Sequence, residues 1–191
     1  MIVKAHFSIA PVYSIKEALM AILEILEYPN PGLKKVSEPV EEVDLEIKTL
    51  ISDMFETMYN APGIGLAAPQ VGVLKRVIVV DIEYREGEGN PVALINPEII
   101  ESSGETTFEE GCLSVPEFTA QVERFEKVTV TGLNERGEEI ELQCDGLLAI
   151  AFQHEIDHLN GILFVDRIGN VKRDIFKRKF KKLIRKEKAP L

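Results

Sequence analysis

The sequence predicts an α+β fold: antiparallel strands around a central helix, with a second helix in the N-terminal half and a third at the C-terminus. Three observations carry this. The run Leu147-Leu148-Ala149-Ile150-Ala151-Phe152 is apolar and free of Gly and Pro, and it leads into Gln153-His154-Glu155-Ile156-Asp157-His158-Leu159. Such a stretch suits a buried helix. Over 44–59, Ile47, Leu50, Ile51, Met54, Phe55 and Met58 fall at three- and four-residue spacings, the pattern of an amphipathic helix. Between these stretches lie short runs rich in β-branched residues, broken by turn residues, as in antiparallel sheets.

Composition sets the bounds. At 191 residues the chain fits one domain with a sizeable core. Its 45% hydrophobic and 28% charged residues are ordinary for a soluble globular protein. No apolar run nears the roughly 20 residues that cross a bilayer, so no membrane partner is expected. Cys112 and Cys144 make no disulfide framework and fit a reducing compartment, here the cytoplasm. The net charge of −10 is uneven: residues 172–191 hold 10 basic and 2 acidic side chains, the other 171 residues 12 and 30. A basic tail on an acidic body suggests contact with a polyanion or a membrane surface.

In chain order, residues 1–19 alternate weakly and contain Pro11. They lack the arginines of a transit peptide and the apolar core of a signal peptide. They read as an extension or a misassigned start, with the domain beginning at Met20. Tyr28-Pro29-Asn30-Pro31-Gly32 is a turn cluster. Asp44 is a fair N-cap for the helix over 44–59, which Pro62-Gly63 ends. Gly63-Ile64-Gly65-Leu66-Ala67-Ala68-Pro69-Gln70 is a small-residue loop, either a tight turn on the core or a backbone built for close approach. It lacks the Gly-Lys-Ser/Thr ending of a phosphate loop. Residues 76–82 read as a buried strand; 92–95 and 98–102 read as two short strands around Asn96-Pro97. Cys112 follows Gly111 at a turn, which would present its thiol at a strand end. Further strands are predicted near 119–124, 127–131 and 139–143, the last two joined by the hairpin loop Asn134-Glu135-Arg136-Gly137. The central helix spans about 146–159, stopped by Asn160-Gly161. A C-terminal amphipathic helix carries Phe176, Phe180, Leu183 and Ile184 on one stripe, with Lys and Arg elsewhere.

The chemistry sits on the central helix. His-Glu-x-x-His places His154 and His158 four residues apart, on one face, where both imidazoles can meet one metal. Glu155 lies beside the first ligand, in reach of a water there. A satisfied pair of core histidines is the plain alternative. Yet two of the chain's three histidines fall here, and a glutamate on so apolar a face is costly without a task. A catalytic site wants a third protein ligand. Position 164 is Phe164, so the longer three-histidine motif is absent, and Glu187 in the basic tail is a poor candidate. Cys112 is the better soft donor; Cys144 is its rival and reads as core.

Three motifs, in this order, resemble those of the peptide deformylases: Gly63-Ile64-Gly65-Leu66-Ala67-Ala68-Pro69-Gln70, then Glu110-Gly111-Cys112-Leu113-Ser114, then Gln153-His154-Glu155-Ile156-Asp157-His158-Leu159-Asn160-Gly161. The likeness runs from about Met20 to the C-terminus and is to the bacterial type. It implies a single catalytic domain over 20–171, with 172–191 as its basic C-terminal helix. It implies Cys112, His154 and His158 as ligands of one divalent metal. That metal is usually ferrous iron in the family, with zinc, nickel or cobalt able to replace it; donor softness alone favours zinc. The implied reaction removes the formyl group from the N-terminal formyl-methionine of newly made polypeptides. Glu155 would be the general acid/base, with the Gln70 side-chain amide and the Leu113 backbone N–H as oxyanion donors. Ile64, Gly65, Phe108, Leu147, Ile150 and Ala151 would wall the methionine pocket. The substrate backbone would pair beside the Gly65 loop and the segment after Cys112. Where many bacterial members carry a peptide-anchoring arginine, this chain has Thr119. The basic helix resembles the tail with which bacterial members dock on the ribosome.

Two other readings stand beside this one. A zinc endopeptidase would need only His-Glu-x-x-His, but the cysteine ligand and the missing third His or Glu argue against it. A non-catalytic ribosome-binding metalloprotein would close its site with a fourth side chain, and no convincing one is present.

Overall fold

The computed structural model describes residues 21–84, 87 and 89–187. The expected extension over 1–19 and the start at Met20 lie outside the described residues.

The chain first runs through the 3-10 turn Pro31–Lys34 and reaches α1 (Leu45–Asn60). Asp44 caps α1: its carboxylate accepts the Ile47 N–H at 2.9 Å, satisfying one of the helix's free N-terminal donors. The apolar stripe predicted from spacing is the buried face, with Ile47, Ile51, Met54 and Met58 inside.

Five strands make the main sheet, in the order β1 (Gly65–Ala67), β2 (Val77–Val80), β3 (Val92–Ser103), β6 (Lys127–Leu133), β7 (Glu139–Asp145), all antiparallel. β4 (Thr106–Cys112) and β5 (Val115–Arg124) form a separate two-stranded sheet. The central helix α2 (Gly146–Leu159) follows β7, and α3 (Phe164–Arg167) and α4 (Asn170–Glu187) complete the chain.

The unbroken apolar run Val77-Ile78-Val79-Val80 is explained by what covers each face of the sheet. Ile78 and Val80 face α2, together with Leu94, Val128 and Val130. Val77 and Val79 face α1, together with Ala93 and Ile95. A strand covered on both sides has no polar face to alternate with. A third cluster ties the small sheet to the C-terminus. Phe176 and Phe180 of α4 are buried with Val115, Ala120 and Val122 of β5 and with Phe164, and Tyr28 packs on both rings at 4.9 and 5.3 Å. Phe176 and Phe180 of the predicted stripe are therefore docked; the side chains of Leu183 and Ile184 lie outside the described residues. No described helix is long and apolar enough to cross a membrane.

Several elements differ from the sequence expectation. The two short strands around Asn96-Pro97 are one strand, β3. Asn96 takes a positive φ of 53° and the register with β6 shifts between Ile95 and Glu98. This lets Pro97, which has no N–H to donate, pass without ending the strand. The Asn96 amide also bonds Val40 N–H and C=O, both at 2.8 Å. The loop over 63–70 is not a plain turn: 65–67 is an edge strand on β2, followed by the 3-10 turn Ala68–Val71. β4 and α3 were not foreseen. The hairpin at Asn134-Glu135-Arg136-Gly137 and the limits of α2 fall where the sequence placed them, with Gly161 at a φ of 69° just past the Asn160 C-cap.

Candidate metal centre

α2 lies in the core, with eleven of its fourteen residues buried, Ala149 through Leu159. Four-residue spacing stacks His154 and His158 on one face, their ring centroids 5.0 Å apart. Cys112 comes from the other sheet. It is the last residue of β4, and Leu113-Ser114 form the two-residue turn before Val115, which pairs back with Cys112. The Cys112 Sγ lies 3.2 Å from His158 Nε2. One ligand atom from each of Cys112, His154 and His158 falls within 4.8 Å of the others. One thiol and two imidazoles make a donor set suited to a transition metal. Cys144 is elsewhere, 4% exposed in the core of β7. Burial pushes its thiol up to about 11, with the Asp145 charge adding to the shift, so it stays protonated at neutral pH.

The histidines are oriented from behind. The His154 Nδ1 is 2.7 Å from Glu110 Oε2, which turns its Nε2 toward the site. Glu110 is gripped by Arg124, through Nε at 2.6 Å and Nη2 at 2.9 Å. The third nitrogen of Arg124, Nη1, bonds Asp157 at 2.6 Å. Arg167 clasps Asp157 from the outside with Nε and Nη2. Burial works against the charge on Glu110, but the hydrogen bonds from Arg124 and His154 win and bring its carboxyl down to about 2. His154 is likewise pushed down by burial, yet its contacts with Cys112 and Glu110 leave it well above the usual imidazole range. His158 goes the other way, held low by burial and then by the charge on His154.

Glu155 stands apart from this network. It is 4% exposed, and its Oε2 is buried without a hydrogen-bond partner among the described residues. Burial raises its carboxyl to about 7, against the opposing pull of His154. Its Oε1 approaches the backbone of Gly65 so closely that a Cβ there would overlap it. Gly65 is thus glycine because the carboxylate occupies the side-chain space. Gly65→Ala must push Glu155 aside. We expect turnover to fall by about 100-fold, the scale of an ångström-sized misplacement of a reacting group, with the thermal unfolding midpoint little changed. Turnover within threefold of the parent would show that Glu155 does not need this position.

Gln70 is 2% exposed, and its orientation is fixed. The Ala67 N–H donates to Oε1 at 2.8 Å, so the NH2 group points inward, to Ser114 Oγ at 3.1 Å and Cys112 Sγ at 3.5 Å. Leu113 packs on Gly63, where a Cβ would come within 2.7 Å of Leu113 Cδ1.

Cys112, Leu113, His154 and Glu155 line a cavity of about 410 Å³. All six wall residues expected from sequence line it: Ile64, Gly65, Phe108, Leu147, Ile150 and Ala151. Phe108 and Leu147 are partly exposed at 40% and 36%, whereas Ile150 and Ala151 are buried. The lining strand segment is 108–111, before Cys112, and only Leu113 contributes from after it. Thr119 donates its hydroxyl to Glu109 Oε1 at 3.3 Å. A larger cavity of about 1020 Å³ opens behind the site, bordered by Gln153, Arg124, Asp157 and Arg167. None of Cys112, His154, Glu155 or His158 lines it.

A family model described as polypeptide deformylase matches residues 22–174. The chain belongs to the polypeptide deformylase family. The peptide deformylase of Thermodesulfovibrio yellowstonii is 57% identical over 162 residues, covering 85% of this chain and 98% of that one. The crystal structure of a peptide deformylase from Legionella pneumophila superposes with a TM-score of 0.81 at 48% identity, covering 89% of this chain and all of that one. A class I type b peptide deformylase from Acinetobacter baumannii, solved with Met-Ala-Ser bound, matches with a TM-score of 0.73 at 41% identity, covering 78% of this chain and 100% of that one. This deformylase is therefore a metal-dependent amide hydrolase, and its α+β fold is the family's. The endopeptidase and non-catalytic readings fall with that finding.

What sequence reasoning missed is the network behind the two histidines: Glu110, Arg124, Asp157 and Arg167. One signal was present. Ala120, Val122 and Arg124 alternate on the inward face of β5, and an arginine on such a face requires buried acidic partners.

Proposed function

We propose that this deformylase removes the formyl group from the N-terminal formyl-methionine of newly made polypeptides, in the cytoplasm. The observation that carries the reading is the convergence of Cys112, His154 and His158 beside the unpartnered carboxylate of Glu155, with Cys112, His154 and Glu155 at the wall of one cavity. Cys112, His154 and His158 would hold a divalent metal, which when bound supplies Lewis-acid polarisation and lowers the pKa of a water. We assign ferrous iron, with Zn2+, Ni2+ or Co2+ able to take the same donors.

The chain's own groups do the rest. The cavity takes the methionine side chain against Ile64, Phe108, Leu147, Ile150 and Ala151. The edges of β1 and of residues 108–111 offer main-chain hydrogen bonds to a peptide, which read backbone rather than sequence. Glu155 accepts a proton from the attacking water and later delivers it to the departing amine. As the formyl carbon becomes tetrahedral, its oxygen gathers charge. The Gln70 NH2, already aimed inward, and the Leu113 N–H donate to it. Formate and a peptide with a free amino terminus leave. The Met-Ala-Ser held by the A. baumannii relative begins with methionine, as such a product would.

The test is formate release from formyl-Met-Ala-Ser by protein loaded anaerobically with Fe2+, beside a Ni2+-loaded sample. Rapid release with no cleavage of internal peptide bonds is expected. No release from protein carrying one metal per chain would end this reading.

We also place residues 20–171 in one catalytic domain, with α4 joined to it through Phe176 and Phe180. The outward face of α4 is basic, with Lys172, Lys177, Arg178, Lys179 and Lys181 exposed, and we assign it to the ribosome. Replacing Lys177, Arg178 and Lys181 by glutamine should weaken ribosome binding and flatten its dependence on salt, since each lost phosphate contact lowers that slope by about one. An unchanged slope would remove the assignment.

A further inference from the structure

We propose that Arg167 is a positioning residue for the metal centre, acting through Asp157 to keep Arg124 on Glu110. The inference rests on Cys112, His154 and His158 being metal ligands.

Arg124 has three nitrogens and two buried carboxylates to serve. Nε and Nη2 go to Glu110, and Nη1 goes to Asp157. The side chains of Arg124, Glu110 and Asp157 are 1%, 3% and 7% exposed, so with Arg167 in place the two carboxylates rely on protein donors and not on solvent. Asp157 lies on α2, between the site's two histidines and next to His158. Its Oδ2 accepts from both Arg124 and Arg167, and its Oδ1 accepts from Arg167 Nη2. Arg167 thus meets most of the demand of Asp157 and leaves Arg124 free to give two of its three nitrogens to Glu110.

Without Arg167, the Oδ1 of a buried carboxylate loses its donor. The nearest guanidinium is that of Arg124. Turning it to grip Asp157 with two nitrogens takes one from Glu110. Glu110 Oε2 is the atom that fixes His154 Nδ1 at 2.7 Å. Loosening it frees the ring of a ligand. The chain of alternating charge Arg167, Asp157, Arg124, Glu110, His154 therefore runs from the surface to the donor set, and Arg167 is its outer end.

Two features make this testable. The Arg167 side chain is 42% exposed, so removing it opens no cavity in the core. Its place is set independently, because Phe164 and Val165 of α3 are buried in the third cluster. A lysine at 167 could present a point charge but not the two-pronged contact.

The experiment loads apo-protein with Co2+ and follows its visible absorption and its loss to a chelator. The proteins are the parent, Arg167→Ala, Arg167→Lys and the double variant Arg167→Ala/Asp157→Asn. Arg167→Ala should lose cobalt about 10-fold faster, the lower end for partners behind a ligand, with altered absorption bands. Arg167→Lys should fall between it and the parent. The double variant should return toward the parent, because an amide no longer competes with Glu110 for the guanidinium. Parent-like cobalt loss and absorption in Arg167→Ala would overturn the proposal. So would a double variant that stays as weak as Arg167→Ala, which would mark a structural effect alone. Failure of the parent itself to bind one cobalt per chain would instead overturn the metal assignment on which the proposal rests.

Discussion

Glu155→Ala should lower kcat for deformylation by about 1,000-fold, the middle of the range for a lost general acid/base, while metal content and KM stay close to the parent values. The structure sets this residue apart from the hydrogen bonds that hold Glu110, Arg124, Asp157 and His154 together. Glu155 makes none of the hydrogen bonds in the Glu110–Arg124–Asp157 network, and its Oε2 is buried without a partner among the described residues. Removing it should therefore leave that network in place, so that a loss of turnover reports on the carboxylate itself. Burial holds its carboxyl up to about 7, a value that suits a group asked both to take and to return a proton near neutrality. Glu155→Gln tests the same point with the shape retained, and should be nearly as slow. Steady-state formate release, with metal content measured on each sample, decides it. A loss of less than tenfold at full metal occupancy would assign the proton transfer to another group.

Arg124→Met should destabilise the fold by about 3–5 kcal/mol, the cost of breaking a buried ion pair from one side. Glu110 would be left a buried carboxylate with only His154 beside it, while Asp157 would keep only Arg167. Denaturant titration of the metal-free protein reads this directly, since bound metal would otherwise add its own contribution. The triple variant Arg124→Met/Glu110→Gln/Asp157→Asn should recover much of the lost stability, because no buried charge is left unpaired and Arg167 is 42% exposed. It should not recover tight metal binding, because the carboxylate behind His154 is gone. Parent-like stability in Arg124→Met would show that the network carries little of the fold's free energy.

The sequence revealed the parts whose chemistry is local. α1 and α2 follow from spacing and capping, and His154, Glu155 and His158 follow from the four-residue geometry of a helix. The order of three motifs pointed to Cys112, Gln70 and the cavity walls, none of which periodicity alone could place. β4 escaped notice because its residues, Thr106 through Cys112, are mostly exposed and include three that are polar or charged for each apolar one near its start. Its strand character comes from pairing with β5, a contact no single segment announces. β3 looked like two strands because Pro97 usually ends one, and only the positive φ at Asn96 shows how it does not. The ion network was hidden for a different reason. Glu110, Arg124, Asp157 and Arg167 are spread over 58 positions of the chain by number, and charged residues read as surface until their burial is known.

The burial of α2 has a consequence for how the protein fails. Backbone amides along 149–159 are inside the core and hydrogen-bonded within the helix, and the helix touches β1, β2, β3, β6 and β7. Such amides exchange with deuterium only when the whole unit opens. His154 and His158 ride on that same segment, so their backbone positions are given up only when the sheet opens with it. Amides of α2 should therefore exchange together with those of β2 and β6, with one free energy of opening.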